Sequence, residues 1–146
     1  MALDDLAKTA ATEHDISAET TKAATAVNLG KSGLPRNAYC TVFITVITDE
    51  DVGDVTFTFQ YTTDNGTTWY SAGSGVLAEA SVQTAAGIGR NVSFPIGLTD
   101  ILPEKNAAAD IDWRVTSTIA ATVAVDDNFT WQAFIADHQG ARAPID

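Results

Sequence analysis

From about residue 27 onward, apolar and polar side chains alternate with a period of two, the spacing of a half-buried β-strand. The clearest stretch is 55–61, VTFTFQY, with Val55, Phe57, Phe59 and Tyr61 on one face and Thr56, Thr58 and Gln60 on the other. A second is 111–116, where Ile111, Trp113 and Val115 oppose Asp112, Arg114 and Thr116. A third is 129–136, where Phe129, Trp131, Ala133 and Ile135 oppose Thr130, Gln132, Phe134 and Ala136. The run 39–48, YCTVFITVIT, is apolar on both faces and β-branched. It predicts a strand buried by a neighbour and by a second sheet. In 89–96, GRNVSFPI, residues Val92, Phe94 and Ile96 point inward. Pro95 restricts that strand to an edge or shortens it. Weaker strand signals cover 26–30, 69–70 and 75–80.

Turn chemistry separates these runs. Ser-Gly and Leu-Pro occur in 31–37, acids crowd 49–54, and Asn65-Gly66 is the favoured pair for a type I′ hairpin. Residues 97–109 read as a long connection, with a helical turn over 98–102 stopped near Pro103. The sum is about eight strands and no long amphipathic helix, which predicts an all-β antiparallel β-sandwich or jelly roll. Its predicted core is Val42, Ile44, Val46, Phe57, Phe59, Phe94, Trp113, Val115 and Trp131, with the two tryptophans packed between the sheets.

Residues 1–27 break the pattern. They are rich in Ala, Thr, Asp and Glu. Leu3, Leu6 and Ala10 have helical spacing, Asp4 and Asp5 suit a first turn, and 16–25 reads as extended. The domain reading is an N-terminal arm over 1–27, extended or briefly helical, ahead of a sandwich domain over 28–146. Two readings of the arm stay open: a frayed terminus, or a segment that orders against a partner.

Composition narrows the partners. The chain of 146 residues carries 19 acidic and 8 basic residues, a net charge of −11. The basic residues form no stripe, which argues against nucleic acid and against an acidic membrane surface. Docking on a basic protein surface is permitted. The single cysteine, Cys40, lies in an apolar run and reads as a small buried hydrophobe. Residues 1–6, MALDDL, lack the basic start of a secretory signal. No run approaches the ~18 apolar residues of a membrane span.

Candidate chemistry is sparse. Residues 62–69, TTDNGTTW, fit the Asp-box pattern S/T-x-D-x-G-x-T-W. The structural reading is a stable hairpin tip and the functional one a sugar contact. Asp49, Glu50, Asp51 and Asp54 offer oxygen ligands but lack the spacing of an EF-hand. They read as a solvated turn, as does Asp126-Asp127. His14 and His138 stand at opposite ends of the chain and read as surface histidines. No nucleophile elbow, phosphate loop, HExxH or CxxC occurs. The expectation is a chain without enzyme activity, metal or cofactor.

The order of elements resembles that of the small jelly-roll capsid cement (decoration) proteins of tailed bacteriophages. The features that carry the resemblance are the Ala/Thr-rich arm, Val27-Asn28-Leu29-Gly30, the strand 39–48 and the strand 55–64 running into Thr63-Asp64-Asn65. The arginine-led strand 90–96 and the closing strands 111–117 and 128–137 complete it. The resemblance covers nearly the whole chain. It implies a virion protein assembled in the host cytoplasm that binds the outside of the expanded head. Such proteins form homotrimers at three-fold and quasi-three-fold positions and bridge major capsid proteins. The expected interface residues are Leu3, Leu6 and Ile16 of the arm, the polar positions Asp112, Arg114, Thr130 and Gln132, and Ile145 in the tail. The alternative reading is a glycan-binding β-sandwich of a tail fibre or surface adhesin, stacking sugars on Trp69 and Tyr70. A head-fibre base of another jelly-roll type is a third.

Overall fold

The computed structural model describes residues 12–15, 18–30, 38–47, 53–78, 91–96, 111–122 and 128–136. These form nine strands: β1 (Thr12–Asp15), β2 (Thr21–Ala23), β3 (Val27–Gly30), β4 (Tyr39–Ile47), β5 (Val55–Thr62), β6 (Tyr70–Leu77), β7 (Asn91–Pro95), β8 (Ile111–Thr118) and β9 (Asn128–Ala136). One sheet has the order β1-β9-β4-β7 and the other β2-β8-β5-β6, with β3 also on β8. Every pairing is antiparallel. Because β5 occupies one edge of β8, β2 and β3 lie end to end along its other edge. Counted as one broken strand, β2 and β3 reduce the nine to eight. The sheets then read 1-8-3-6 and 2-7-4-5, the jelly-roll order. The chain is an antiparallel β-sandwich.

Alternation decides which face of each strand is buried. In β5, Val55, Phe57, Phe59 and Tyr61 face inward, and in β8 Trp113 and Val115 join them. The opposing sheet contributes Cys40, Val42, Ile44, Phe129, Trp131, Ala133 and Ile135. Aromatic rings hold the centre. Phe57 meets Trp131 edge-on at 5.4 Å and 71°, and Phe59 stacks on Trp113 at 5.3 Å and 15°. Each large apolar side chain removed from water contributes about 1.5–3 kcal/mol. Such a core needs no disulfide, and Cys40 is a free, buried thiol.

At one side of the sandwich the edge strands β6 and β7 come into contact across the sheets. Gly73 and Gly75 occupy inward positions of β6, opposite Phe59 and Phe57. A Cβ on Gly75 would stand 2.8 Å from Phe94 Cδ1 and 2.9 Å from Val92 Cγ2, and one on Gly73 would collide with the Pro95 carbonyl. The glycines make room for the aromatic ring of the facing strand. This is why 69–70 and 75–80 read as separate weak signals while the structure has one strand: its inner positions carry no apolar side chain to mark them.

The predicted core is buried at every position whose side chain is described; the side chain of Val46, in β4, is not. Pro95 ends β7, an edge strand as predicted. The arm reading is corrected. β1 pairs with β9 and β2 with β8, so the sandwich begins by Thr12 rather than at residue 28. The chain crosses between sheets at residues 18–20, and both strands are edges, whose polar composition hid them. The helical reading of Leu3 and Leu6, the turn 98–102 and the acids Asp49–Asp51 lie outside the described residues. The two closing strands, adjacent in sequence, belong to opposite sheets: β8 lies between β5 and β2/β3, and β9 between β1 and β4.

Candidate interaction surface on the five-stranded sheet

The loop between β5 and β6 is a self-contained clasp. The Thr62 hydroxyl donates to Asp64 Oδ1 at 2.7 Å and accepts from the Gly66 amide at 3.1 Å. Asp64 Oδ1 also accepts from the Thr68 amide at 2.8 Å. Asn65 and Gly66 have φ of 64° and 87°, the left-handed pair that a type I′ turn requires. The Thr68 amide first, and then the Thr62 hydroxyl, hold the Asp64 carboxyl below the usual aspartate range. These acceptor positions of Asp64 are spent on its own loop.

Trp69 closes the clasp. It is half-buried, and a Cβ on Gly66 would lie in ordinary contact with its ring, 3.7 Å from Cζ2. The Arg114 guanidinium lies 4.0 Å from the Trp69 ring centroid, a cation–π contact. Arg114 Nε donates to Gln60 Oε1 at 2.8 Å on the neighbouring strand. Partial burial lowers the Arg114 pKa from its ordinary value, but a guanidinium keeps its charge. On the opposite, inward-facing side of β5 and β6, Tyr70 stacks on Tyr61 at 5.4 Å and 27°, leaving Tyr70 42% exposed.

The register extends this into a polar face. Thr62 stands opposite Asp112, Gln60 opposite Arg114, Thr58 opposite Thr116 and Thr56 opposite Thr118. Thr118 in turn bonds Thr21 through their hydroxyls at 3.2 Å. The outer face of the five-stranded sheet is thus a field of hydroxyls with one Gln–Arg rung under Trp69.

The expected interface residues divide. Asp112 and Arg114 lie on this face. Thr130 and Gln132 lie on the outer face of the four-stranded sheet, where Gln132 pairs with Phe43. There Phe43 and Phe134 meet edge-to-face at 6.1 Å. The two pairs point away from each other because β8 and β9 are in different sheets, so they cannot form one contact patch. Leu3, Leu6, Ile16 and Ile145 lie outside the described residues. Sequence reasoning missed Gln60 as the partner of Arg114; its signal was its place on the polar face of β5. It also missed Val76, whose strand had no clear alternation.

His14 is corrected from surface to core. It is fully buried, with its ring 5.1 Å from that of Phe129. Nε2 lies 2.9 Å from the Glu19 carbonyl, which can only accept, so Nε2 carries the proton. Nδ1 lies 2.8 Å from the Ser117 hydroxyl oxygen, within hydrogen-bond distance. Ser117 in turn accepts from Trp131 Nε1 at 3.0 Å. This chain joins β1 and β9 of one sheet to β8 of the other. It is a structural tie and faces no surface. His138 lies outside the described residues, and among the described residues no three His, Cys, Asp or Glu are grouped to hold a metal. Burial pushes the Cys40 thiol far above its usual range.

No family model matches the chain, and no curated protein matches it. Among solved structures, it is similar to a chain from work on the promiscuous specificity of carbohydrate-binding modules of the β-sandwich superfamily. The TM-score is 0.44 and the identity 10%, over 86% of this chain and 52% of that one. This chain therefore spans about half the length of that solved chain.

Proposed function

We propose that the chain is a capsid decoration protein of a tailed bacteriophage. On this reading it binds the outer surface of the mature head as a homotrimer and stabilises it by bridging major capsid proteins. The observation that carries the reading is the jelly-roll strand order, which runs through the stretches that resemble decoration proteins. Jelly rolls serve both as viral capsid domains and as lectins, so the surface has to choose between them. Trp69 has one face against Arg114, and Asp64 bonds its own loop, so the Asp-box hairpin reads as architecture. The net charge of −11 suits docking on a basic shell. Three simultaneous contacts from a trimer raise apparent affinity by roughly 10² to 10⁴ without a new contact type.

The test is co-sedimentation of the purified chain with expanded heads that lack their decoration protein. Saturable binding that raises the heads' resistance to heat is the expected outcome; no binding to any expanded head overturns the reading. To probe the arm, a deletion should remove residues 1–10 only. A longer cut takes away β1, β2 and the His14 tie, and tests folding instead. The glycan-binding alternative keeps one favourable observation, the exposed ring of Tyr70. Reproducible glycan-array binding lost in Tyr70→Ala would select it.

A further inference from the structure

A cation drawn partly out of water ordinarily faces a carboxylate. Lys22 does so, with Nζ 3.3 Å from Glu19 Oε1. Half-buried Arg114 does not, among the described residues. Its Nε donates to a neutral acceptor, Gln60 Oε1, at 2.8 Å, and its Cζ stands 4.0 Å from the Trp69 ring centroid. Its Nη groups have no partner among the described residues. Acids are not scarce, since the chain carries 19. Asp112 even shares the face, two positions along β8. Yet the Arg114 pKa moves downward, through burial alone, where an acid in contact would push it up. Arg114 is thus held in place by neutral neighbours, with its charge uncompensated by them.

We infer that Arg114 anchors a protein-binding face on the five-stranded sheet, and that the partner presents a glutamate or aspartate carboxylate to it. Trp69 and Gln60 fix the guanidinium before binding, so little rotamer freedom is left to lose. A carboxylate in the guanidinium plane accepts two parallel N–H bonds and neutralises the charge. The surroundings select a protein rather than a small acid. From Arg114 and Gln60 the face runs on through Thr116 and Thr58 to Thr118 and Thr56, with Ser74 and Val76 beside them on β6. These side chains are short and uncharged, whereas small-molecule sites are concave. An uncharged strip ending in an Arg–Trp pair suits the centre of a protein interface, where arginine and tryptophan concentrate. The anchor deepens the decoration reading and rests on it only for the partner's identity, the major capsid protein. There the charge of −11 draws the chain to a basic shell, and Arg114 adds a point at which an acid must stand opposite, which sets register.

NMR titration of the full chain tests this, with N-acetylglutamate amide as the probe and its glutamine counterpart as the neutral control. The Arg114 Nε–H and Trp69 indole resonances are expected to shift saturably with the glutamate probe and to stay still with the glutamine one. Arg114→Lys keeps the charge but loses the fork, and should weaken the Trp69 response by about tenfold or more. Circular dichroism reports whether the variant keeps the β fold, and the comparison of probes on the wild type needs no variant. A wild type that ignores the glutamate probe, or answers both probes alike, overturns the anchor. So does a stronger response to galacturonate, which would make this a site for an acidic sugar. Co-sedimentation with expanded heads separates the two proposals. Arg114→Lys should weaken head binding by about tenfold or more, and Gln132→Ala, on the outer face of the other sheet, should leave it intact. The opposite pattern overturns the anchor and keeps the decoration reading. A glutamate response in a chain that binds no head keeps the anchor and removes the decoration reading.

Discussion

Trp113 and Trp131 are both fully buried, stacked or packed on a phenylalanine, and one on each sheet. They differ in one atom's fate. Trp131 Nε1 donates to Ser117 at 3.0 Å, whereas Trp113 Nε1 has no hydrogen-bond partner among the described residues. Substitution of each by Phe removes the same volume, so the cavity cost is similar and largely cancels in the comparison. What remains is polar. Trp131→Phe loses a buried hydrogen bond, a net cost of about 0.5–1.5 kcal/mol. Trp113→Phe removes an unsatisfied donor whose burial costs about 1–3 kcal/mol. Trp131→Phe should therefore be the less stable variant by about 1.5–4.5 kcal/mol. At roughly 3 °C per kcal/mol for a chain of this length, that separates the two melting temperatures by roughly 5–14 °C. Urea unfolding followed by the remaining tryptophans' fluorescence measures the difference directly. Variants that unfold within about 0.5 kcal/mol of each other, or a Trp113→Phe that is the weaker, would refute the reasoning.

His14→Ala removes one buried and one partly buried hydrogen bond and the contact with Phe129, and should cost about 2–4 kcal/mol in urea unfolding, with faster amide exchange in β1 and β2. Gly75→Val drives methyl groups into Phe94 and Val92 and should cost about 1–3 kcal/mol or more in thermal unfolding, while Ser74→Val on the outer face should stay within about 0.5 kcal/mol. Because the folded Asp64 carboxyl lies below its unfolded value of about 3.9, the clasp's contribution is fully present above that value. It is lost as the pH falls through the folded one. The Thr68 amide resonance should titrate in that acid window in the wild type and stay still in Asp64→Asn. Cys40, buried with its thiol pKa raised by that burial, should react with a thiol reagent only on unfolding.

Local pattern carried much of this. Alternation in 55–61, 111–116 and 129–136 marked strands and their buried faces, because a half-buried strand leaves a period of two in the sequence. Asn65-Gly66 marked its turn because few residues adopt positive φ. Where local pattern was silent, the tertiary environment had replaced it. β1 and β2 are polar because each is an edge with one strand neighbour, and β6 is featureless inside because Phe94 from the other sheet fills the space above its glycines. The buried state of His14 depends on Ser117, 103 residues away, and no short-range signal announces such a partner.

The sequence by itself determined the fold class, most of the core and the hairpin tip, since each depends on residues within a few positions of one another. Tertiary structure decided which sheet each strand joined, and with that the surface. Asp112 and Arg114 came to one outer face and Thr130 and Gln132 to the other, and Trp69 was placed against Arg114. Those outcomes depend on long-range strand order, and strand order is set by how two sheets bury a common core.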